Sequence, residues 1–240
     1  MKAGIIAAGQ GTRLAAGGIK TPKPLVAING EPMIARMIRM AAESGASSAA
    51  CIVNDLTADV AEFLDNQTWP VALETVVRTT PNSMESLFHL APLLRDEPFL
   101  MFTVDAVFEL AALKAFLSQS RMLVEKFPKA RGVLALTDHV DDEKPLWALT
   151  DANRQIVALG DDALTSSTVT AGFYYFDPSV FDLIATARKR KLSALRQFLG
   201  LLIENDYFLY GAMVSKTVDV DYPEDIAKAE AFLGERRHEF

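Results

Sequence analysis

Residues 3–14 read AGIIAAGQGTRL, and residues 20–25 read KTPKPL. The run 3–7 is short, apolar and bounded by glycine, which is typical of a buried β-strand. A strand that leads into a glycine-rich loop exposes backbone N–H groups, and glycine lets that backbone approach and wrap a polyphosphate. Arg13 and Lys23 would add positive charge beside the loop. The whole stretch therefore predicts phosphate binding.

The better-known phosphate-binding patterns do not fit this loop. A P-loop needs a Gly-Lys-Ser/Thr sequence at a spacing that is missing here, and Leu14 stands where the dinucleotide fingerprint has its third glycine. Gly9 and Gly11 alone would be more typical of a tight turn. Phosphate binding is favoured because Arg13 and the Lys23-Pro24 pair accompany them.

The length of 240 residues indicates one large α/β domain or a domain with a small appendage, and we predict a single domain over residues 1–240. Half of the residues are hydrophobic, and the net charge of −7 argues against nucleic acid or a membrane surface as a partner. The single cysteine, Cys51, excludes a cysteine zinc cluster. No apolar run approaches the ~18 residues of a membrane span, and the start of the chain lacks the layout of a signal peptide. We expect a cytoplasmic protein.

Predicted strands and helices alternate along most of the chain, which indicates βαβ units and a mainly parallel sheet. The predicted fold class is α/β: a Rossmann-like three-layer α/β/α sandwich with a mixed, mostly parallel sheet. The loop 9–13 and Asp105 both follow predicted strands, so both are expected at the sheet edge where ligands bind. Residues 8–14 are predicted to be loop, 178–191 to be a helix, and 138–215 to hold an acceptor-binding subregion.

Acidic residues stand at two further predicted strand ends. Asp105 follows the apolar run 98–104, although an aspartate that simply starts a turn is common. Asp219 and Asp221 are two residues apart in a predicted strand and so project from one face, where they repel each other unless a cation intervenes. Mg²⁺ prefers a few carboxylate oxygens together with substrate phosphates.

The AAGQGTRL segment with the following PKPL resembles the signature of the nucleotidyltransferases that make nucleotide-sugars and related activated alcohols. This family includes sugar-1-phosphate nucleotidylyltransferases, phosphocholine cytidylyltransferase-like enzymes and MobA-like NTP transferases, and the resemblance extends from Gly4 to Leu233. It implies that Arg13, Lys23 and Asp105 are catalytic. It also implies the following nucleotide-binding residues: Ala7, Ala8, Gly9, Gly11, Thr12, Arg13, Asn82 and Ser83.

The resemblance implies particular tasks for the charged residues. Arg13 would stabilise the leaving pyrophosphate, and Lys23 would contact phosphates near the reacting centre. Mg²⁺ would be held by Asp105 and a second aspartate. Alignment to the sugar-transferring branch selects Asp219 and alignment to the cytidylyltransferase-like branch favours Asp221, so both are kept.

Three later segments resemble the family's substrate-binding motifs. Glu143-Lys144-Pro145 resembles a motif that grips a sugar phosphate, so Lys144 would meet the acceptor phosphate and Glu143 a hydroxyl. Gly172 lies in a strand that would pass the acceptor and allow its close approach. The Asn-Ser-x-x-Ser form at 82–86 would read the nucleobase and is nearer the phosphocholine cytidylyltransferase-like branch. The first segment is also typical of a solvated turn, the second of an ordinary strand, and Ser83 of a helix N-cap.

These observations predict an Mg²⁺-dependent enzyme that transfers a nucleotidyl group from a nucleoside triphosphate to a phosphorylated sugar or alcohol and releases pyrophosphate. Two alternatives stay open. One is a catalytically silent nucleotide-sugar-binding regulator with the same fold, and the other is a molybdopterin nucleotidyltransferase. The nucleobase, the acceptor, the pathway and the oligomeric state stay open too.

Overall fold

The computed structural model describes residues 1–140 and 144–234. In these ranges the strands are β1 (Lys2–Ala7), β2 (Ala27–Ile28), β3 (Glu31–Pro32), β4 (Ser48–Val53), β5 (Ala72–Val77), β6 (Phe99–Thr103), β7 (Ala106–Val107), β8 (Ala130–Thr137), β9 (Ala148–Thr150), β10 (Ile156–Leu159), β11 (Val169–Phe176), β12 (Phe208–Met213) and β13 (Val218–Asp219). The helices are α1 (Thr12–Ala16), α2 (Met33–Glu43), α3 (Ala58–Asp65), α4 (Ser83–Leu94), α5 (Leu110–Lys126), α6 (Ile184–Lys189), α7 (Leu195–Glu204) and α8 (Pro223–Gly234).

The central sheet has seven strands in the order β12-β8-β11-β6-β1-β4-β5. β1 pairs in parallel with both β4 and β6, β4 pairs in parallel with β5, and β12 pairs in parallel with β8. β11 is antiparallel to its neighbours β6 and β8, which makes the sheet mixed. The predicted mixed, mostly parallel sheet is confirmed.

Both faces of the sheet are covered, as a buried parallel sheet requires. Alternate residues of β1 show this directly: Ala3, Ile5 and Ala7 pack in one hydrophobic core, and Ile6 packs in the other. The first core also takes side chains from α2, α3, α5 and α8, and the second takes them from α4, α6 and α7. The three-layer α/β/α sandwich is therefore confirmed.

Two short elements bring distant parts of the chain to the edge where β1 and β6 end. β7 follows the turn that contains Asp105, and β13 pairs with it so that Asp219 lies opposite Ala106. The backbone N–H of Val220 also donates to the carbonyl of Asp105 at 3.0 Å. This small two-stranded sheet joins residues 219–225, which are called the C-terminal acidic segment below, to the end of β6.

The structure differs from the sequence-based elements in two places. The predicted loop 8–14 is not all loop, because α1 begins directly after Gly11. The predicted helix over 178–191 is divided into a 3-10 segment, Pro178–Leu183, and α6. Both differences involve elements of six residues or fewer, whose short length carries too little hydrophobic periodicity to be recognised. In the ranges described, no helix is long and apolar enough to cross a membrane.

Candidate active site

A cleft of about 550 Å³ opens at the carboxyl ends of β1 and β6, and it is called the first cleft below. Its position follows from the fold, because strand ends and the loops after them meet at this edge of the sheet. Most of its lining comes from the glycine-rich loop, the start of α4 and the segment after β6. The lining residues are Ile6, Ala8, Gly9, Gln10, Gly11, Thr12, Arg13, Lys23, Thr80, Pro81, Asn82, Ser83, Ser86, Thr103, Val104, Asp105 and Asp221.

The glycine-rich loop is packed directly against Lys23. Gly11 has φ = 62°, a left-handed backbone conformation that residues other than glycine rarely adopt, and it immediately precedes α1. A Cβ atom at Gly11 would lie 2.7 Å from the Cβ of Lys23. Glycine is therefore required at this position by both the backbone and the neighbouring lysine.

Asn54 fastens the same loop from the other side. It follows β4, its side chain is buried, and its amide nitrogen lies 3.4 Å from the carbonyl oxygens of both Ala8 and Gly9. Its amide oxygen accepts hydrogen bonds from the backbone N–H groups of Leu56 and Thr57. The glycine-rich loop is thus linked to the loop that precedes α3.

Lys23 lies between two carboxylates at the floor of the first cleft. Its Nζ donates to Asp105 Oδ2 at 2.8 Å and to Asp221 Oδ1 at 2.6 Å. Its side chain is only 9% exposed, whereas those of Asp105 and Asp221 are about a third exposed. The lysine therefore fixes two acidic groups that both still face the cleft.

Arg13 extends this arrangement towards solvent. Its guanidinium contacts the other oxygen of the Asp221 carboxylate at 2.5 Å and lies 5.4 Å from the centre of the Tyr222 ring. Two cations and two carboxylates, from Arg13, Lys23, Asp105 and Asp221, thus form one network, which is called the charge network below.

Asp105 and Lys23 keep their charged forms. Burial disfavours the charged form of Asp105, but the positive charge of Lys23 and the hydrogen bond from its ammonium group outweigh burial and lower the pKa of Asp105. Burial would also lower the pKa of Lys23, but its attraction to Asp105 and Asp221 raises it above the ordinary value. Asp105 is therefore a carboxylate and Lys23 an ammonium ion near neutral pH.

Asp225 positions the backbone that carries Asp221. Its carboxylate accepts hydrogen bonds from the N–H groups of Asp221 and Tyr222 at 3.2 and 2.9 Å, and it pairs with Lys228 at 3.0 Å. Asp225 is buried at the start of α8, while Glu224 beside it is exposed. Asp225 therefore has a structural role in the segment that delivers Asp221.

A second cleft of about 260 Å³ joins the first at Asp105 and Asp221. Most of its lining comes from β11, from the start of α7, and from β13 with the segment after it. Its lining residues are Ser83, Thr103, Asp105, Leu146, Thr170, Gly172, Tyr174, Ala194, Leu195, Arg196, Leu199, Asp219 and Asp221. Among the described residues that line the second cleft, Arg196 is the positively charged one. The two clefts share the carboxylates that hold Lys23.

Gly172 is required by packing. It has φ = 79°, and a Cβ atom there would lie 2.6 Å from the Cβ of Ala106 and 3.1 Å from Thr103 Oγ1. The backbone of β11 also shifts its register against β8 around this residue. The small space at Gly172 is therefore filled by neighbouring protein atoms, although the residue also lines the second cleft.

The start of α4 is capped by Asn82 rather than by Ser83. The Asn82 side chain accepts a hydrogen bond from the backbone N–H of Glu85 at 2.9 Å, and Ser83 is the first residue of the helix. Thr80 and Ser86 bring their hydroxyl oxygens within 2.6 Å of each other. Asn82 and Ser83 nevertheless both line the first cleft.

The structure brings most of the predicted site residues together. Ala7 packs in the core at the end of β1, while the other residues predicted to bind nucleotide line the first cleft. Asp219 and Asp221 both line the second cleft, as expected for one face, and Asp221 also reaches Lys23. Lys144 lies beside the second cleft, where its backbone carbonyl accepts a hydrogen bond from Arg196 at 3.0 Å. Glu143 lies outside the described residues.

Two site residues were not predicted from the sequence. Asn54 could have been found, because it follows a buried strand of the same sheet just as Asp105 does. Arg196 could not, because it is an arginine near the start of a helix with no motif around it. Only the fold, which packs α7 against β10 and β12, shows that it reaches the second cleft.

A family model described as nucleotidyl transferase matches residues 2–236 of this sequence. The chain belongs to the nucleotidyl transferase family. This confirms the family predicted from AAGQGTRL and PKPL, and the match covers the glycine-rich loop, both clefts and the C-terminal acidic segment.

The curated relatives share low sequence identity with this chain. It is 27% identical to a CMP-5'-(3-aminopropyl)phosphonate synthase of Streptomyces rubellomurinus over 62% of this chain and 26% of that protein. It is 24% identical to a bifunctional IPC transferase and DIPP synthase of Thermococcus kodakarensis over 97% of this chain and 50% of that protein. The chain thus spans from about a quarter to half of the length of these two relatives.

Solved structures share the fold across nearly their whole length. An inositol-1-phosphate CTP transferase from T. maritima superposes with a TM-score of 0.80 at 19% identity, covering 98% of this chain and 96% of that chain. A UDP-glucose pyrophosphorylase complexed with UDP-glucose gives a TM-score of 0.79 at 17% identity, covering 98% and 99%. At sequence identities of 19% and 17%, this structural similarity supports the fold assignment.

The contact between Gly11 and Lys23 leads to a matched pair of variants. We expect Gly11→Ala to destabilise the fold by roughly 1–3 kcal/mol, because alanine must adopt a left-handed conformation and displace Lys23. Gly9→Ala should leave stability nearly unchanged, since a Cβ atom there meets no atom within 4 Å. Chemical denaturation of both variants checks this. Equal stability of the two would contradict the packing described.

Proposed function

We propose that this protein is an Mg²⁺-dependent nucleotidyltransferase. It would transfer a nucleoside monophosphate group from a nucleoside triphosphate to the phosphate of a sugar or alcohol, releasing pyrophosphate. The observation that carries the proposal is the charge network at the junction of the two clefts. One cleft is bordered by a glycine-rich loop suited to a triphosphate, and the other offers space for an acceptor.

The reaction needs two negatively charged substrates to be held in line. An oxygen of the acceptor phosphate attacks the α-phosphorus, and the bond from that phosphorus to the oxygen bridging to the β-phosphate breaks. Pyrophosphate then leaves with the bonding electrons. Arg13 would stabilise the negative charge on pyrophosphate, and Lys23 would bind phosphate oxygens near the reacting centre. Catalysis would come from positioning and charge neutralisation, without a protein nucleophile.

The carboxylates suit a magnesium ion that is shared with the substrate. Asp105 and Asp221 already converge on one cation, the Nζ of Lys23, so they can also converge on a metal ion. In the described part of the chain, no group of three or more acidic, histidine or cysteine side chains is arranged to hold a metal. Mg²⁺ commonly combines one or two carboxylates with substrate phosphates. Bound there, it would orient the α-phosphate and offset its developing charge.

We assign the second metal-binding carboxylate to Asp221. It contacts Lys23 together with Asp105, whereas Asp219 lines the second cleft and does not line the first. Asp219 would then face the acceptor. This choice follows the alignment to the cytidylyltransferase-like branch.

The second cleft is the proposed acceptor site. Eight of its lining residues lie between 146 and 199, within the segment 138–215 that was predicted to bind the acceptor. Arg196 would bind the acceptor phosphate, and Lys144, next to it, remains a candidate for the same phosphate. The proteins named above include a CMP-5'-(3-aminopropyl)phosphonate synthase and an inositol-1-phosphate CTP transferase, so a phosphorylated alcohol is at least as suitable as a sugar phosphate. A cytoplasmic location stays a prediction.

The test is pyrophosphate release with Mg²⁺, with each common ribonucleoside triphosphate combined with sugar 1-phosphates, inositol phosphate, phosphocholine and aminoalkylphosphonates. We expect one pair of substrates to give sustained turnover, and Asp105→Asn to reduce that turnover at least about 100-fold because charge stabilisation is lost. Asp65→Asn, an equal charge change on the exposed side of α3, should keep full activity.

Three results would contradict the proposal. Asp105→Asn with normal turnover would remove the role given to the carboxylate. Triphosphate binding without turnover of any acceptor would favour the silent regulator, and selective turnover of a pterin substrate would favour the molybdopterin enzyme.

Arg196→Met tests the acceptor site separately. Since a hydrogen bond to a charged group is worth about 1.5–3 kcal/mol, we expect the KM for the acceptor to rise roughly 10- to 100-fold. The KM for the triphosphate should hardly change, because Arg196 lines the second cleft and not the first. Arg190→Met is the matched control, since Arg190 pairs with Glu204 outside both clefts. An unchanged acceptor KM in Arg196→Met would remove Arg196 from the site.

A further inference from the structure

Within the charge network, each cation assigned to phosphate is paired with a carboxylate assigned to metal. Lys23 Nζ lies 2.8 Å from Asp105 and 2.6 Å from Asp221, and Arg13 lies 2.5 Å from Asp221. The groups that would bind the two halves of a metal–triphosphate complex therefore neutralise each other in this structure.

The Lys23 ammonium group occupies the point on which both carboxylates converge. A divalent cation placed there would meet a like charge at close range, and the repulsion would be strong because the lysine is shielded from water. Asp105 and Asp221 cannot release Lys23 into solvent cheaply either. Its stem is packed against Gly11, where a Cβ atom would lie 2.7 Å from the Lys23 Cβ.

A triphosphate would relieve this conflict. Its oxygens, cradled by the glycine-rich loop, offer new acceptors to Lys23 and Arg13 within the first cleft, which both side chains line. Once the cations turn to the phosphates, Asp105 and Asp221 are free to hold a metal ion that the phosphates also hold. Every charge has a partner before and after the exchange.

We propose that Lys23 is a built-in counter-cation that keeps divalent metal out of the carboxylate pair until a nucleoside triphosphate arrives. This inference rests on the proposed function, and it adds an order of binding to it. Metal alone binds weakly, and triphosphate and metal strengthen each other's binding. By thermodynamic linkage the strengthening is equal in both directions.

Mn²⁺ binding to the full chain without nucleotide tests the proposal, with electron paramagnetic resonance used to count the free ion. We expect Lys23→Gln to bind Mn²⁺ at least tenfold more tightly than the unaltered protein. The double variant Lys23→Gln/Asp105→Asn should lose that gain, which places the ion at the carboxylate pair. Lys20→Gln removes the same charge from an exposed position nearby and should bind as weakly as the unaltered protein.

A second measurement does not depend on the folding of a variant. The unaltered protein together with a non-hydrolysable triphosphate should bind Mn²⁺ at least tenfold more tightly than the analogue alone does in solution. Equal Mn²⁺ affinities of Lys23→Gln and the unaltered protein, including weak binding by both, would overturn the proposal. Pyrophosphate release is measured separately, so the two proposals can fail independently. An active enzyme with equal Mn²⁺ affinities would overturn only the role of Lys23 as a counter-cation. Absence of turnover, with the expected gain in Mn²⁺ affinity of Lys23→Gln, would overturn only the transfer reaction.

Discussion

The site depends on one interaction, the ammonium group of Lys23 held between the carboxylates of Asp105 and Asp221. Asp221 lies 198 residues from Lys23 in the sequence, and two carboxylates this close repel each other unless a cation lies between them. Lys23 supplies that cation, and Gly11 sets its position by packing on its stem. The glycine-rich loop, the end of β6 and the C-terminal acidic segment therefore share one electrostatic centre.

The fold explains how these three segments meet. β1 and β6 are parallel neighbours, so the glycine-rich loop and Asp105 emerge at the same edge of the sheet. The pairing of β13 with β7 adds the third segment, and Asp225 fixes the backbone at Asp221 through two hydrogen bonds. The two clefts then meet at the carboxylates, which lets one pair of acidic groups face a triphosphate on one side and an acceptor on the other.

Much of this could be predicted because it follows from local sequence. Patterns a few residues long determine the buried strand before the glycine-rich loop and the placement of Asp105 after an apolar strand. They also determine the α/β/α layers. What the sequence could not settle depends on contacts between distant segments. Asp219 and Asp221 look equivalent in the sequence, and only the β7–β13 pairing shows that Asp221 faces Lys23. Gly172 lines the second cleft, where it is predicted to let the acceptor approach, and only the structure shows that its missing Cβ also makes room for Ala106 and Thr103.

On substrate binding, the charge network would exchange its partners. A crystal structure of the protein with Mg²⁺ and an α,β-methylene analogue of its preferred triphosphate would show whether this exchange takes place. We expect a metal ion between Asp105 and Asp221, with Lys23 and Arg13 turned to phosphate oxygens beside the glycine-rich loop. A bound analogue with Lys23 still between the two carboxylates, or a metal ion held elsewhere, would contradict it.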